Sequence, residues 1–156
     1  MATFVEQFPI LECGVYNLTM SWKNDIPYVY DIWRQKYIKL TPEEWVRQNF
    51  LQYLVLEKKY PIACIAVEKE VMVNGIKKRC DIIVFKNYTP YMIVECKEMN
   101  VVLTEKTIQQ ILTYNQSLSV NILVITNGNN TFAFETTTKK SLNSIPEFSE
   151  TIINDF

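Results

Sequence analysis

Apolar residues recur at helical spacing after Thr41, at Val46, Phe50, Tyr53 and Leu54 with Glu57 continuing the face, and then give way to strand-like runs rich in Ile and Val. Thr41-Pro42-Glu43-Glu44 reads as a helix start: a threonine cap, proline at the first helical position and glutamate three residues after the cap. The predicted helix runs to about Tyr60 and ends before Pro61. Ile62 to Val73 and Lys77 to Phe85 read as strands, joined by Asn74-Gly75 as a two-residue hairpin turn. Tyr91 to Cys96 is a short apolar strand bounded by Pro90. Val101 to Leu118 fits a helix beginning near Thr104, and Val120 to Thr126 is another apolar strand. Strand, helix, strand in that order predicts a parallel crossover. A last hairpin at Asn127-Gly128-Asn129-Asn130 adds Thr131 to Thr136 as an edge strand.

The pattern is weaker on both flanks. Residues 1–40 are aromatic-rich and irregular, with Tyr16, Trp22, Tyr28, Tyr30, Trp33 and Tyr37, and read as short strands or an N-terminal arm packed on the core. Residues 137–156 form a polar, partly helical C-terminal extension. The expectation is one globular α/β (α+β) unit: an arm over 1–40, a core over 41–136 and an extension over 137–156. Its central mixed sheet is covered by helices, in the order helix, three strands, helix, strand.

Composition narrows the chemistry. At 156 residues, 48% of them hydrophobic, the chain supports one well-cored domain. Lys and Arg total 16 against 17 Asp and Glu, so any phosphate-binding surface must be a local patch. The absence of histidine removes Ser-His-Asp triads and zinc sites that combine Cys with His. Four cysteines, at 13, 64, 80 and 96, form no CxxC pair and read as free thiols in a reducing compartment. The three glycines, at 14, 75 and 128, allow neither a Walker A loop nor a dinucleotide fingerprint. Neither a leader-like start nor an apolar run of membrane-span length is visible, so a soluble cytoplasmic protein without membrane contact is the expectation.

Charged residues interrupt the predicted strands in a suggestive way. Glu95 and Lys97 are two apart on the third strand, so both side chains leave one face. Alone, that is an ordinary strand-end salt bridge. Asp81 opens the apolar run Ile82, Ile83, Val84, Phe85, where an unpaired carboxylate is costly; it needs a cation, either Lys97 or a divalent metal. If Asn74-Gly75 closes a two-residue turn, Val73 faces Ile76, Glu68 falls opposite Asp81 and Glu70 opposite Arg79. Glu68 is then either a further acid at the site or the partner of Lys69 or Lys78. Carboxylates gathered at one strand end suit a hard cation, Mg²⁺ or Mn²⁺. Lys77, Lys78 and Arg79 form a basic run beside Asp81, read either as contacts to a phosphate backbone or as a solvated hairpin tip.

Asp81, thirteen intervening residues, then Glu95-Cys96-Lys97 resembles the signature of the PD-(D/E)XK nuclease superfamily, and the element order resembles its restriction-endonuclease-like αβββαβ core. The closer resemblance is to the N-terminal nuclease domain of type I restriction enzyme R subunits and small stand-alone relatives. It covers roughly Asp31 to Glu135, including Thr41-Pro42-Glu43-Glu44-Trp45-Val46-Arg47-Gln48 and Thr126-Asn127-Gly128. Gln110-Ile111-Leu112-Thr113-Tyr114 looks like the QxxxY motif that follows the catalytic strand in this group and in RecB-like nucleases. Helical spacing puts Gln110 and Tyr114 on one face, able to orient substrate or the lysine, although the same spacing also describes an ordinary amphipathic helix. Cys80 stands where the superfamily name has proline, as in many members.

The resemblance implies that Asp81, Glu95 and the carbonyl of Cys96 hold Mg²⁺ or Mn²⁺, that Lys97 positions or helps activate water, and that cleavage leaves 5′-phosphate and 3′-hydroxyl ends. It also implies a nucleic-acid partner, most naturally DNA, in restriction, repair or defence, acting as a homodimer or within a larger complex. Glu44 matches an acid that often completes metal binding in the superfamily, and equally fits a capping box with Thr41. Two rivals stand beside this reading: a module that keeps the fold but binds without cutting, and a glycosidase using Glu95 and Asp81 as acid and base. Lys97 and the helix carrying Gln110 suit phosphate chemistry better than the second.

Overall fold

In a computed structural model, which describes residues 10–73, 75–114 and 120–149, the chain forms two sheets around one buried helix. Strands β1 (Met20–Lys23), β2 (Ile26–Asp31) and β3 (Lys36–Lys39) form a small antiparallel sheet. Helix α1 spans Pro42–Leu56. A single 3₁₀ turn (Ile62–Cys64) leads into β4 (Ile65–Val73), β5 (Ile76–Lys86) and β6 (Thr89–Cys96). Helix α2 (Glu105–Tyr114) crosses to β7 (Ile122–Thr126), followed by β8 (Thr131–Glu135) and the two-residue β9 (Ser141–Leu142). The six strands β4 to β9 lie in chain order in one sheet. Only β6 and β7 run parallel among them, so the sheet is mixed, with the expected crossover through α2.

Helix α1 begins as its sequence dictates: Thr41 Oγ1 accepts the Glu44 N–H at 3.1 Å, and Pro42 occupies the first turn, where its missing donor costs nothing. It ends at Leu56, earlier than the predicted Tyr60. Lys59 takes a left-handed φ of +64°, and the Tyr60 N–H turns back to the Leu54 carbonyl at 3.1 Å. The helix is buried on nearly every side, because its core draws Val29 from β2 and Ile82, Val84 and Val94 from the large sheet. That two-sided burial explains the weak amphipathic signal: Glu44, Arg47, Gln48 and Asn49 are buried along with Phe50 and Leu54. On the opposite face of the large sheet, α2 packs Ile108, Ile111 and Leu112 over Ile83, Ile93, Leu123 and Ile125.

Val73 pairs with Ile76, as a two-residue connection requires; Asn74 of the predicted turn lies outside the described residues. The flanks depart from expectation. The aromatic segment before residue 41 is an ordered three-stranded sheet, an architecture its four-residue strands could not announce. Strand β8 is not the sheet edge, since β9 pairs with it, and among the described residues of the C-terminal segment there is no helix. No helix among the described residues is long and apolar enough to cross a membrane.

Gly128, in the β7–β8 turn, has φ +87°, and a Cβ there would come within 2.8 Å of the side chain of buried Leu11. Gly75 has a similar φ of +77° but open space around it. Gly128→Ala should therefore cost about 1–3 kcal/mol, measurably more than Gly75→Ala in paired urea titrations; equal costs would mean that the contact with Leu11 is unimportant.

Candidate active site

The pairing of β5 with β6 runs through Ile82–Val94, and one step further along the ladder brings Asp81 and Glu95 to its end. Asp81 is fixed through both oxygens. Its Oδ2 accepts the Cys96 backbone N–H at 2.8 Å, and its Oδ1 accepts from the Arg47 guanidinium at 3.0 Å. These bonds supply the cation that a carboxylate beginning an apolar run requires.

Arg47 occupies the middle of an acidic group. Its Nη2 lies 3.0 Å from Glu43, 2.9 Å from Glu68 and 3.0 Å from Asp81, and its Nη1 pairs with Glu44. Only 6% of its side chain is exposed. Burial works against its charge, yet Glu44 and Asp81 outweigh that effect and hold the guanidinium protonated beyond its ordinary range. The arrangement continues away from the sheet. Arg34 bridges Glu44 and Asp31, and Gln48 Nε2 donates to Asp31 at 2.8 Å and to Glu44 at 3.0 Å. Asp31, fully buried, also accepts the backbone N–H groups of Trp33 and Arg34 at 2.8 Å each. One polar network thus runs from the end of β2 through α1 to Asp81 in the middle of β5.

Glu95 has a separate cation. Lys78 Nζ lies 3.1 Å from its Oε1, and the Lys78 side chain is only 7% exposed. Burial pushes the Glu95 carboxyl above its ordinary value; Lys78 and Lys97 oppose that push and Asp81 adds to it. Glu43 is raised for similar reasons, by burial and by Asp81, against Arg47 and Lys97. Lys97, half-buried, is anchored by its backbone N–H to the Thr126 carbonyl at 2.8 Å; among the described residues no carboxylate lies within ion-pair distance of its ammonium. The Cys96 thiol is fully buried and raised well above its ordinary value, chiefly by burial, so its backbone alone faces the chemistry.

Several sequence-based expectations shift in this geometry. Glu44 is enclosed by Arg34, Arg47 and Gln48; the threonine half of the capping box forms, but its carboxylate is spent in the network. Glu68, at a left-handed φ of +53° opposite Asp81, pairs with Arg47 and Arg79 and not with Lys69 or Lys78. The basic run Lys77, Lys78, Arg79 is not one surface patch. Lys78 points inward to Glu95, Arg79 binds Glu68 at 2.5 Å and Lys77 binds Glu70 at 3.1 Å. Gln110 is exposed on α2, with no hydrogen bond to Glu95 or Lys97 among the described residues, and the Tyr114 side chain lies outside them. Sequence reading missed Arg47, Glu43 and Asp31 as parts of the site. The available signal was the spacing of Glu43 and Glu44 four and three residues before Arg47, which places all three on one helix face.

With this geometry established, relatives can be compared. The family model for the type I restriction enzyme R protein N terminus matches residues 42–148. The chain belongs to that family. A fragment structure assigned to an HsdR subunit of a type I restriction enzyme from Vibrio vulnificus YJ016 superposes with a TM-score of 0.53 at 20% identity, covering 69% of this chain and 24% of that one. The match therefore spans about a quarter of the length of that fragment's chain. No curated protein matches. The fold of this R-protein N-terminal domain is restriction-endonuclease-like, a mixed central sheet with a helix against each face.

Two predictions follow from the charges of the R-protein N-terminal domain. Arg47→Met removes the cation paired with Asp81, leaves Glu44 with Arg34 alone and should cost about 3–5 kcal/mol, with Arg47→Lys in between; urea denaturation measures both. Lys78→Met removes the charge that opposes the upward push on Glu95. A carboxyl raised in the folded state adds stability that is complete below its ordinary value of 4.5 and is lost as pH rises through the folded value. The stability deficit of Lys78→Met should therefore be smallest at or below that value and grow as pH rises past it. A deficit flat with pH would mean that Lys78 does not govern Glu95 ionisation.

Proposed function

We propose that this domain is a metal-dependent nuclease that hydrolyses phosphodiester bonds in DNA, in a restriction, repair or defence setting and as part of a larger assembly. The observation that supports it most is the meeting of Asp81 and Glu95 at the end of the β5–β6 ladder, with Lys97 directly after the last residue of β6. Family membership supports the restriction context.

The residues suit a hard divalent ion in kind. The Arg47 Nη2 gathers oxygens of Glu43, Glu68 and Asp81 within 3.0 Å, so this corner already requires a positive charge. Among the described residues no group of three or more Cys, Asp or Glu side chains is placed to hold a metal ion by itself. Mg²⁺ commonly uses one or two carboxylates and completes its shell with water and phosphate. Asp81, Glu95 and the Cys96 carbonyl would hold it. When bound, the ion supplies charge neutralisation at the phosphate and acidification of nearby water.

The chain's own residues carry the rest. The Cys96 N–H and Arg47 orient Asp81, and Lys78 holds Glu95 and opposes the upward push of its burial. Lys97 would position or help activate the attacking water, close to where negative charge develops on the phosphate. The Thr126 carbonyl, which accepts the Lys97 N–H, fixes the backbone from which that side chain extends. A second reading, a binding module that does not cut, is favoured by one feature: each acid already has an internal cation, Arg47 for Asp81 and Lys78 for Glu95.

The deciding assay is cleavage of labelled linear duplex, single-stranded and supercoiled DNA with Mg²⁺ or Mn²⁺. Cutting should depend on the metal and fall by about 10²-fold or more in both Asp81→Ala and Lys97→Ala. Absence of cutting on every substrate by folded wild-type protein would transfer the assignment to the binding module.

A further inference from the structure

We infer that the outward face of the N-terminal sheet is a platform for single-stranded DNA. Register and packing define that face. Val29 is in the core, and its partners across the sheet, Met20 and Ile38, pack against the same core. Side chains alternate along a strand, so the intervening residues face away. They form two rows. Ser21, Tyr28 and Lys39 are paired across the three strands in one; in the other Tyr30 pairs with Tyr37, and its N–H bonds to the Thr19 carbonyl at 2.8 Å. The Tyr30 and Tyr37 rings meet edge to face, with centroids 5.3 Å apart.

Three tyrosines on one outward surface need a reason. Tyr37 is 50% exposed, and Tyr28 and Tyr30 are partly exposed beside it. Lys23 and Lys39 stand exposed on the same face, and Asp25, in the β1–β2 turn, is their acidic neighbour. Asp31 belongs to the opposite face and is buried against Arg34 and Gln48, so it contributes no repelling charge to the platform. In a chain of net charge −1, this face is where positive charge and flat aromatic surface coincide.

That combination fits one occupant. Stacking on tyrosine needs unpaired bases whose faces are open, which a duplex does not offer, and lysines beside the rings meet the phosphates that link those bases. The two rows lie about 6.7 Å apart along β2, so Tyr28 and Tyr30 can each receive a separate base. The platform shares no residue with the Asp81 centre, and the binding it supplies does not require cleavage.

The test is fluorescence anisotropy with a labelled single-stranded DNA oligonucleotide and its duplex, in EDTA so that neither metal nor cutting contributes. Wild type should bind the single strand more tightly than the duplex. Tyr37→Ala and Tyr28→Ala should each weaken it about 5-fold or more, whereas Tyr37→Phe, which keeps the ring, should bind as wild type. Replacing Lys23 and Lys39 together by Gln should reduce the slope of log affinity against log salt by about 1.4. Unchanged affinity in a folded Tyr37→Ala protein, equal binding of duplex, or no binding of the single strand by wild type would each overturn the inference. Cleavage in the presence of metal is a separate readout, so the failure of either proposal can be told from that of the other.

Discussion

The rest of the structure depends on a single buried guanidinium. Arg47 must be charged at any pH the protein meets, and a buried charge is tolerated only where opposite charges and hydrogen bonds replace its water. Four acids do so, from two elements and the strand between them: Glu43 and Glu44 from its own helix, Glu68 from β4 and Asp81 from β5. This requirement fixes the rotation of α1 about its axis, since only one face can direct Arg47 at the strand ends. It also accounts for the irregularity at Glu68. A left-handed residue inside a strand is unfavourable by itself, and the two arginines on Glu68, Arg47 and Arg79, identify what offsets it.

The same network attaches the N-terminal sheet to the core. Asp31 ends β2 and is satisfied by two backbone N–H groups, Arg34 and Gln48, while Arg34 carries the chain of charges on to Glu44. Apolar packing of Val29 supplies area without direction; the Asp31 bonds supply direction. A segment that its sequence describes as an arm is therefore a second layer over α1. Helix α1 is the middle layer between two sheets, which is why both its polar and apolar residues are buried.

Much of the large sheet was legible because its local signals agree. The Ile- and Val-rich runs, the Asn74-Gly75 turn and the crossover after Cys96 each predict what the register shows, and the count outward from Val73 and Ile76 correctly brought Glu70 opposite Arg79. The Asp81 to Glu95 spacing was legible only through its resemblance to a family signature, because the β5–β6 register carries a shift between Val84 and Phe85 that local pattern does not reveal. What the sequence hid was partnership. Lys78 lies in a run that reads either as phosphate contacts or as a solvated hairpin tip, Arg47 is given no role by sequence alone, and only tertiary packing decides that these two cations turn inward while Lys77 does not. Gln110 shows the converse: its spacing to Tyr114 is a local property, and nothing local could say whether α2 directs that face at the strand ends. Strand β9, two residues long, carries too little pattern to be predicted at all.

Near-neutral net charge is a poor guide to this molecule's surface. Arg47 and Lys78 are consumed inside, against acids that belong to the candidate centre, and so the overall sum subtracts charges that never face solvent together. Pairing each acid with its own cation has a further consequence for the centre. Asp81 adds to the upward push on Glu95, and Arg47 pairs with Asp81 while Lys78 pairs with Glu95. An ion of charge two placed between the acids would serve both at once, and would reduce the demand on each internal cation. Arg47 holds Asp81 and Lys78 holds Glu95, each through its own ion pair, so side chains of this chain set the positions of both acids.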